Sequence, residues 1–181
     1  MSEIGLIRLS PSLEVIFYID TYKGERFANI RKFIRSESYT GPTKKGIKLA
    51  KQQLEPIIKA LTQISGDLDT IQEGELASIP ISEDRHISIR INYFNGEYGL
   101  DIRQYIATKK YKGPLKKGIR IPLEYAKNVS AYCQEMLDKF EIPEAMDTLF
   151  EHQDEDPKKK IRSKKNKTVE GIPDELQKYF E

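Results

Sequence analysis

The sequence predicts an α+β protein made of two tandem ββββα repeats, each an antiparallel four-stranded sheet plus one helix, paired within one chain as a pseudo-dimer. Three observations carry that reading. Gly24–Ile47 (GERFANIRKFIRSESYTGPTKKGI) and Gly96–Ile119 (GEYGLDIRQYIATKKYKGPLKKGI) are related by an ungapped offset of 72, with 12 of 24 positions identical. Chance does not give such self-similarity, so the chain is a duplicated unit. Within each unit, stretches that alternate apolar and polar residues come first and a helical periodicity comes last. Units of about 70 residues lie near the lower size for a self-sufficient core, so the two are expected to bury their apolar faces against each other.

The elements follow in order. Ile4–Leu9 is a first strand, stopped by Ser10 and Pro11. Val15–Tyr22 (VIFYIDTY) has the β-branched and aromatic residues of a second strand. Lys23–Gly24–Glu25 is a tight turn, because glycine tolerates positive φ. Arg26–Arg35 alternates: Ala28, Ile30 and Ile34 face inward, while Phe27, Asn29, Arg31, Phe33 and Arg35 face outward. Ser36–Thr43 reads as a loop ending at Gly41–Pro42, and Lys45–Leu49 as the fourth strand. Leu54, Ile57, Ile58, Leu61 and Ile64 recur at helical spacing, and the helix is expected to begin near Glu55 with Pro56 in its first turn.

The second unit restarts at Leu76–Ile81. In Arg85–Phe94, Ile87, Ile89 and Ile91 face inward against outward Ser88, Arg90, Asn92 and Phe94, as in a sheet with one wet face. Tyr98–Thr108 sets Leu100, Ile102 and Ile106 against Asp101, Arg103 and Tyr105, and Lys116–Ile121 is the fourth strand. Pro122 opens a helix with Ala126, Val129, Cys133, Met136, Leu137 and Phe140 on one face, where Cys133 reads as a small core residue rather than a nucleophile. The divisions expected are residues 1–66 for the first repeat, 67–74 for a linker, 75–150 for the second repeat and 151–181 for a charged tail. The spacing of Asp67, Asp69 and Glu73 does not match a twelve-residue calcium loop. The tail joins acidic Glu151–Asp156 to basic Pro157–Lys167, a composition expected of disordered chain.

Composition excludes several classes. A single Cys133 forbids an intramolecular disulfide and fits a reducing compartment. No apolar run reaches the roughly 20 residues of a membrane span, and no signal peptide is visible. A soluble intracellular protein is expected, in the cytoplasm or nucleoid of a bacterium or the nucleus of a eukaryote. His86 and His152 are the only histidines, no His/Cys pair has metal-ligand spacing, and no nucleotide loop or nucleophile elbow occurs. No enzyme, metal or cofactor is expected.

Charge placement points elsewhere. The net charge is only +2, yet Ile102–Arg120 holds seven basic residues and no acid, and Arg26–Lys51 holds eight against Glu37 alone. The outward face mixes these cations with flat rings: Tyr18, Tyr22, Arg31 and Phe33 in repeat 1, and Arg90, Phe94, Arg103 and Tyr105 in repeat 2. Lys44, Lys45 and Lys48, then Lys109, Lys110, Lys112, Lys116, Lys117 and Arg120, flank them. Any one lysine could simply guard a sheet edge. The same arrangement occurring twice is what a single-stranded nucleic acid needs, a positive track with platforms on which bases stack.

The segments IRKF…GPTKKGIKL and DIRQYI…GPLKKGIRI resemble the positive cofactor four family of single-stranded-DNA-binding transcriptional coactivators, whose hallmark is IDIREYW followed by PGRKGISL and a helix. The resemblance implies a curved four-stranded sheet plus helix, normally a homodimer paired through the helices, with DNA on the β-ridges and the aromatic–basic face. It places binding positions at Tyr22, Lys23 and Arg31, and at Phe94 and Arg103. The chain departs from the family at Ile34 and Ile106 in place of tryptophan, at Glu25 and Glu97 in place of a basic residue, and at Asn95 in place of a turn lysine. The Pur-type and Whirly-type single-strand binders are similar in their ββββα unit. The expected partner is thus single-stranded DNA, with RNA open, together with transcription machinery. The rival from another class is a protein–protein adaptor that docks a polymerase. Dimerisation beyond the tandem stays open.

Overall fold

Alternation along each strand and one amphipathic helix per unit dictate a sheet with one covered face, and that is the architecture. The structure, a computed structural model, describes residues 1–64 and 72–141. The first unit is β1 (Ser2–Ser10), β2 (Leu13–Tyr22), β3 (Glu25–Arg35), β4 (Thr40–Leu49) and α1 (Lys51–Thr62). The second is β5 (Gly74–Ser82), β6 (Arg85–Phe94), β7 (Glu97–Ala107), β8 (Lys112–Pro122) and α2 (Ala126–Glu141), which is entered through a 3-10 turn at Leu123–Tyr125. The expected linker lies mostly outside the described residues, and 142–150 and the charged tail with His152 lie wholly outside them.

The eight strands form one curled antiparallel sheet in the order β1-β2-β3-β4-β8-β7-β6-β5. The expected four-stranded sheet of each repeat makes one half of it, and the halves meet where β4 pairs with β8, at Gly46 and Gly118. These two residues are equivalent by the offset of 72, so an antiparallel pair between them places the local two-fold through that junction. The helices join as well: α1 packs on α2, and Lys51 at the start of α1 forms an ion pair with Glu141 at the end of α2, as in an antiparallel pair.

One core lies between the sheet and the helices. It takes Val15, Phe17, Ala28, Ile30 and Ile47 from the first unit and Ile87, Ile89, Leu100, Ile102 and Ile119 from the second. The helices add Leu54, Ile57, Ala60 and Leu61, then Ala126, Val129, Cys133 and Met136. Burial pushes the Cys133 thiol up to about 12, an inert core side chain. The helices cross to the other unit's strands: α2 packs on β1 and β2, and α1 on β5. On β1, Gly5 makes room for the Tyr132 ring of α2, whose hydroxyl lies 3.4 Å from the Leu6 carbonyl and whose ring centre lies 5.0 Å from that of Phe17.

Two local expectations are corrected. Helix α1 starts at Lys51, about a turn before Glu55, because the Gln53 side chain accepts a hydrogen bond from the Ala50 N–H (2.9 Å) and Leu54 must reach the core. Pro56 therefore sits inside the helix, not in its first turn, and the ladder bond it would donate is missing. The loop expected at Ser36–Thr43 is shorter, since β4 already begins at Thr40, and β8 likewise begins at Lys112 rather than Lys116. In both strands a bulge follows: β3 advances from Arg31 to Phe33 while β4 runs from Gly46 to Pro42, and β7–β8 repeats this at Arg103, Tyr105, Gly118 and Pro114. A bulge is where a strand tolerates proline. Tyr39 and Tyr111 brace it, each donating its hydroxyl to the following Pro42 or Pro114 carbonyl at 3.0 Å.

Candidate nucleic-acid interface

The helices cover one face of the sheet, and the other carries the sequence-predicted residues. Its centre is a register row that crosses the two-fold: Arg31, Gly46, Gly118, Arg103. Three strand spacings separate the two arginine backbones, about 14 Å. Between them only glycines can stand. A Cβ on Gly46 would fall 3.0 Å from Arg31 Cα and Cγ, and one on Gly118 would fall 2.7 Å from Arg103 Cγ. The arginine stems thus lie over the glycines, and each guanidinium reaches the bulge. Arg31 Nη1 donates to the Thr43 carbonyl (2.9 Å), and Arg103 Nη1 to the equivalent Leu115 carbonyl (3.1 Å). At the bulge each arginine engages one of the five N–H donors that a guanidinium carries.

The same bulges lift Lys44 and Lys45, and Lys116 and Lys117, off the ladder beside this row. Lys44, Lys116, Lys117 and Lys112 are exposed, and Lys45 is half-buried.

Toward the hairpin tips the two repeats diverge. Both tips are two-residue turns with left-handed backbones, at Lys23–Gly24 (φ 55° and 81°) and Asn95–Gly96 (φ 54° and 85°). In repeat 1, Tyr22, Lys23 and Lys48 gather with Phe27: the Lys48 ammonium lies 3.6 Å from the Phe27 ring centre and 4.8 Å from that of Tyr22, and Lys23 lies 5.5 Å from Tyr22. In repeat 2, Gly99 replaces Phe27, and the Arg120 guanidinium occupies the vacated space, so that a Cβ on Gly99 would lie 2.4 Å from it. Arg120 there donates to Asn92 Oδ1 (2.9 Å), Glu97 Oε1 (3.0 Å) and the Glu97 carbonyl (2.9 Å), with the Phe94 ring centre 6.0 Å away. Phe94 is 61% exposed and Tyr22 57%, open to a flat ligand on both tips.

At the other end of the face, Phe33 stands edge-on to Tyr18 (6.2 Å). Tyr18 is only 7% exposed, so the accessible ring there is Phe33. Its counterpart Tyr105 stacks on His86 (5.5 Å, 18° between planes) and accepts a hydrogen bond from Arg90 (3.4 Å). The arrangement brings together Arg90 with Tyr105, Phe94 with Arg120, and Tyr22 with Lys23 and Lys48, while the bulge lysines flank the arginine row. Sequence reasoning passed over Phe27 and His86. The signal for Phe27 was present, since it is an outward ring beside the turn that the offset of 72 pairs with glycine.

The face also holds carboxylates. Glu14, 1% exposed, pairs with Arg8 (3.2 Å) and Arg35. Burial works against its charged form, yet the hydrogen bonds and charges of Arg35 and Arg8 outweigh that and hold its carboxyl below the usual range. Among the described residues no cluster of His, Cys, Asp and Glu could hold a metal ion, and no helix is long and apolar enough to cross a membrane.

Residues 15–60, from Val15 in β2 to Ala60 in α1, match the family of the Transcriptional Coactivator p15 (PC4). No curated protein matches the chain.

Proposed function

Proceeding from a chain whose residues 15–60 are a domain of the Transcriptional Coactivator p15 (PC4) family and whose structure repeats that unit, we propose that it binds single-stranded nucleic acid on the uncovered sheet face. DNA is the favoured ligand, with little sequence preference, in transcription regulation, replication or repair. The family is a non-catalytic, nucleic-acid-binding coactivator family, and membership implies a single-stranded-DNA-binding, coactivator-like function. The observation that carries the reading is the row Arg31, Gly46, Gly118, Arg103, which sets two pinned guanidinia on one face across a glycine floor. Along that row the two glycines add no side chain of their own, so a phosphate backbone crossing it meets the arginines alone. Tyr22, Phe33, Phe94 and Tyr105 offer rings to bases on either side, and stacking of this kind is tolerant of sequence. Lys44, Lys45, Lys112, Lys116 and Lys117 supply the surrounding positive field.

The test is a fluorescence-anisotropy titration with single-stranded DNA, duplex DNA and RNA, for the native chain and for Arg31→Ala with Arg103→Ala. Binding should favour the single strand. The double variant should bind weakly, and its log–log salt slope should flatten by roughly 0.7 for each phosphate that is no longer neutralised. Unchanged affinity in a folded double variant would remove the sheet face from the function and favour a protein-docking role.

A further inference from the structure

The two arginines at the centre of the face are equivalent in sequence and unequal in surroundings. Residue 101, two before Arg103, is Asp101, and Arg103 Nε donates to both of its carboxylate oxygens (3.2 and 3.1 Å). Residue 29, two before Arg31, is Asn29, which donates instead to Asp20 Oδ1 (3.0 Å). The position equivalent to Asp20 is Asn92. Each repeat therefore carries one carboxylate and one amide at this pair of sites, in opposite order. In repeat 1 the carboxylate is at 20, in the strand before; in repeat 2 it is at 101, against the arginine. Among the described residues, no carboxylate lies within ion-pair distance of Arg31.

Two further arginines of repeat 2 have partners as well. Arg120 is paired with Glu97. Arg90, the extra cation standing where repeat 1 has Tyr18, bonds to Tyr105 and feels the charges of Glu75 and Asp101. In repeat 1, the residue equivalent to Arg120 is Lys48, and it faces rings rather than an acid.

We infer that the chain grips its strand unequally: Arg31 is the open phosphate-binding cation, and Asp101 holds Arg103 back by occupying its guanidinium. A phosphate that approaches Arg103 must compete with a carboxylate already in place and is repelled by it, whereas one at Arg31 meets no such rival. Asp101 thus tunes affinity without being a ligand-binding group. The inference rests on the single-strand-binding reading above and divides that site into a strong and a weak half.

Two exchanges test it, because each moves a carboxylate while leaving the charge of the chain unchanged. Asp20→Asn with Asn29→Asp gives repeat 1 the order of repeat 2, and Asn92→Asp with Asp101→Asn does the reverse. Affinity for an unstructured single-stranded DNA is measured against salt in the full chain, with Arg31→Ala and Arg103→Ala as single variants and circular dichroism as the fold control. Arg31→Ala should weaken binding several-fold more than Arg103→Ala. Moving the carboxylate to position 29 should weaken binding by about fivefold, and moving it away from 101 should tighten it by a similar factor, the size of a ~1 kcal/mol ion pair. After the second exchange, Arg103→Ala should become as costly as Arg31→Ala, a transfer that a merely structural Asp101 does not produce. Equal losses from the two single arginine variants, or exchanges that leave affinity unchanged, overturn the inference while the binding face stands. No loss from either arginine variant overturns the binding face itself.

Discussion

Gly5 and Tyr132 form a contact whose energetics the structure allows to be worked out. A Cβ built on Gly5 would lie 2.4 Å from Cδ1 and Cε1 of Tyr132 and 2.6 Å from Cζ. Carbon atoms pack at about 3.5–4.0 Å, so the ring would have to retreat by roughly 1 Å or more. Phe17 stands against it and the Leu6 carbonyl holds its hydroxyl, so retreat is resisted. Overpacking of this kind costs about 1–3 kcal/mol. Tyr132→Ala alone removes a half-buried ring and leaves space beside Phe17, at about 2 kcal/mol, below the fully buried aromatic range. The residues equivalent to Gly5 and Tyr132 are Ala77 on β5 and Ala60 on α1, elements that also pack together. Gly5→Ala with Tyr132→Ala therefore copies a combination the other half already uses. In the Tyr132→Ala background Gly5→Ala should cost nothing, or stabilise slightly, because alanine in a strand loses less backbone freedom than glycine. Urea and thermal unfolding of the four proteins, followed by circular dichroism, closes the cycle, and each kcal/mol should move the midpoint temperature by about 2–4 °C. A Gly5→Ala penalty that is the same with and without Tyr132 would refute the reasoning.

Three further outcomes are expected. Arg31→Ala should lower stability by about 1 kcal/mol in urea, more than a surface arginine would, because it strands the Thr43 carbonyl inside the bulge. Phe33→Ala with Tyr105→Ala should weaken single-strand binding while leaving the salt slope of the titration nearly unchanged, since stacking releases no counterions. Glu14 has a folded-state carboxyl held below its ordinary value of 4.5, so its contribution is fully present above that value and is lost as pH falls through the lowered one. In acid titrations followed by circular dichroism, Glu14→Gln should be less stable than the native chain at neutral pH. The gap should narrow below pH 4.5; a gap that stays constant would exclude the ion-pair account.

Much of this architecture is legible in local pattern. The alternation of Ala28 and Ile30, or of Ile87, Ile89 and Ile91, assigns the inward face because side chains in a strand change sides at every residue. The helix stripe from Ala126 to Met136 does the same at helical spacing. What local pattern does not contain is the choice of neighbour. Nothing around Gly46 says that its strand partner is Gly118 rather than solvent, and that single pairing turns two sheets into one. The arginines illustrate the same gap. Arg120 reads as one more cation of a basic run, but its guanidinium lies over Gly99 of β7 and bonds to Glu97 at the start of that strand, because Gly99 leaves space there. Asp101 reads as an ordinary outward carboxylate two residues before Arg103 on the same face, and alternation does not say that the two side chains bond. The start of α1 escapes for a different reason: proline's preference for a first turn is a weak rule beside the burial of Leu54 and the Gln53 cap.

The junction at Gly46 and Gly118 has a consequence for avidity. Were the two units separate polypeptides, the second arginine would be present only to the extent that the subunits stayed associated, and dilution would take it away. In one chain with one continuous sheet, a strand that settles on Arg31 as proposed would find Arg103 always about 14 Å off. A second contact made under such tethering is intramolecular, with an effective concentration in the millimolar range, and can raise overall affinity by roughly 10²–10⁴ over either contact alone. A half-site too weak to hold a strand by itself can thus still lengthen its residence, and it does so at any protein concentration.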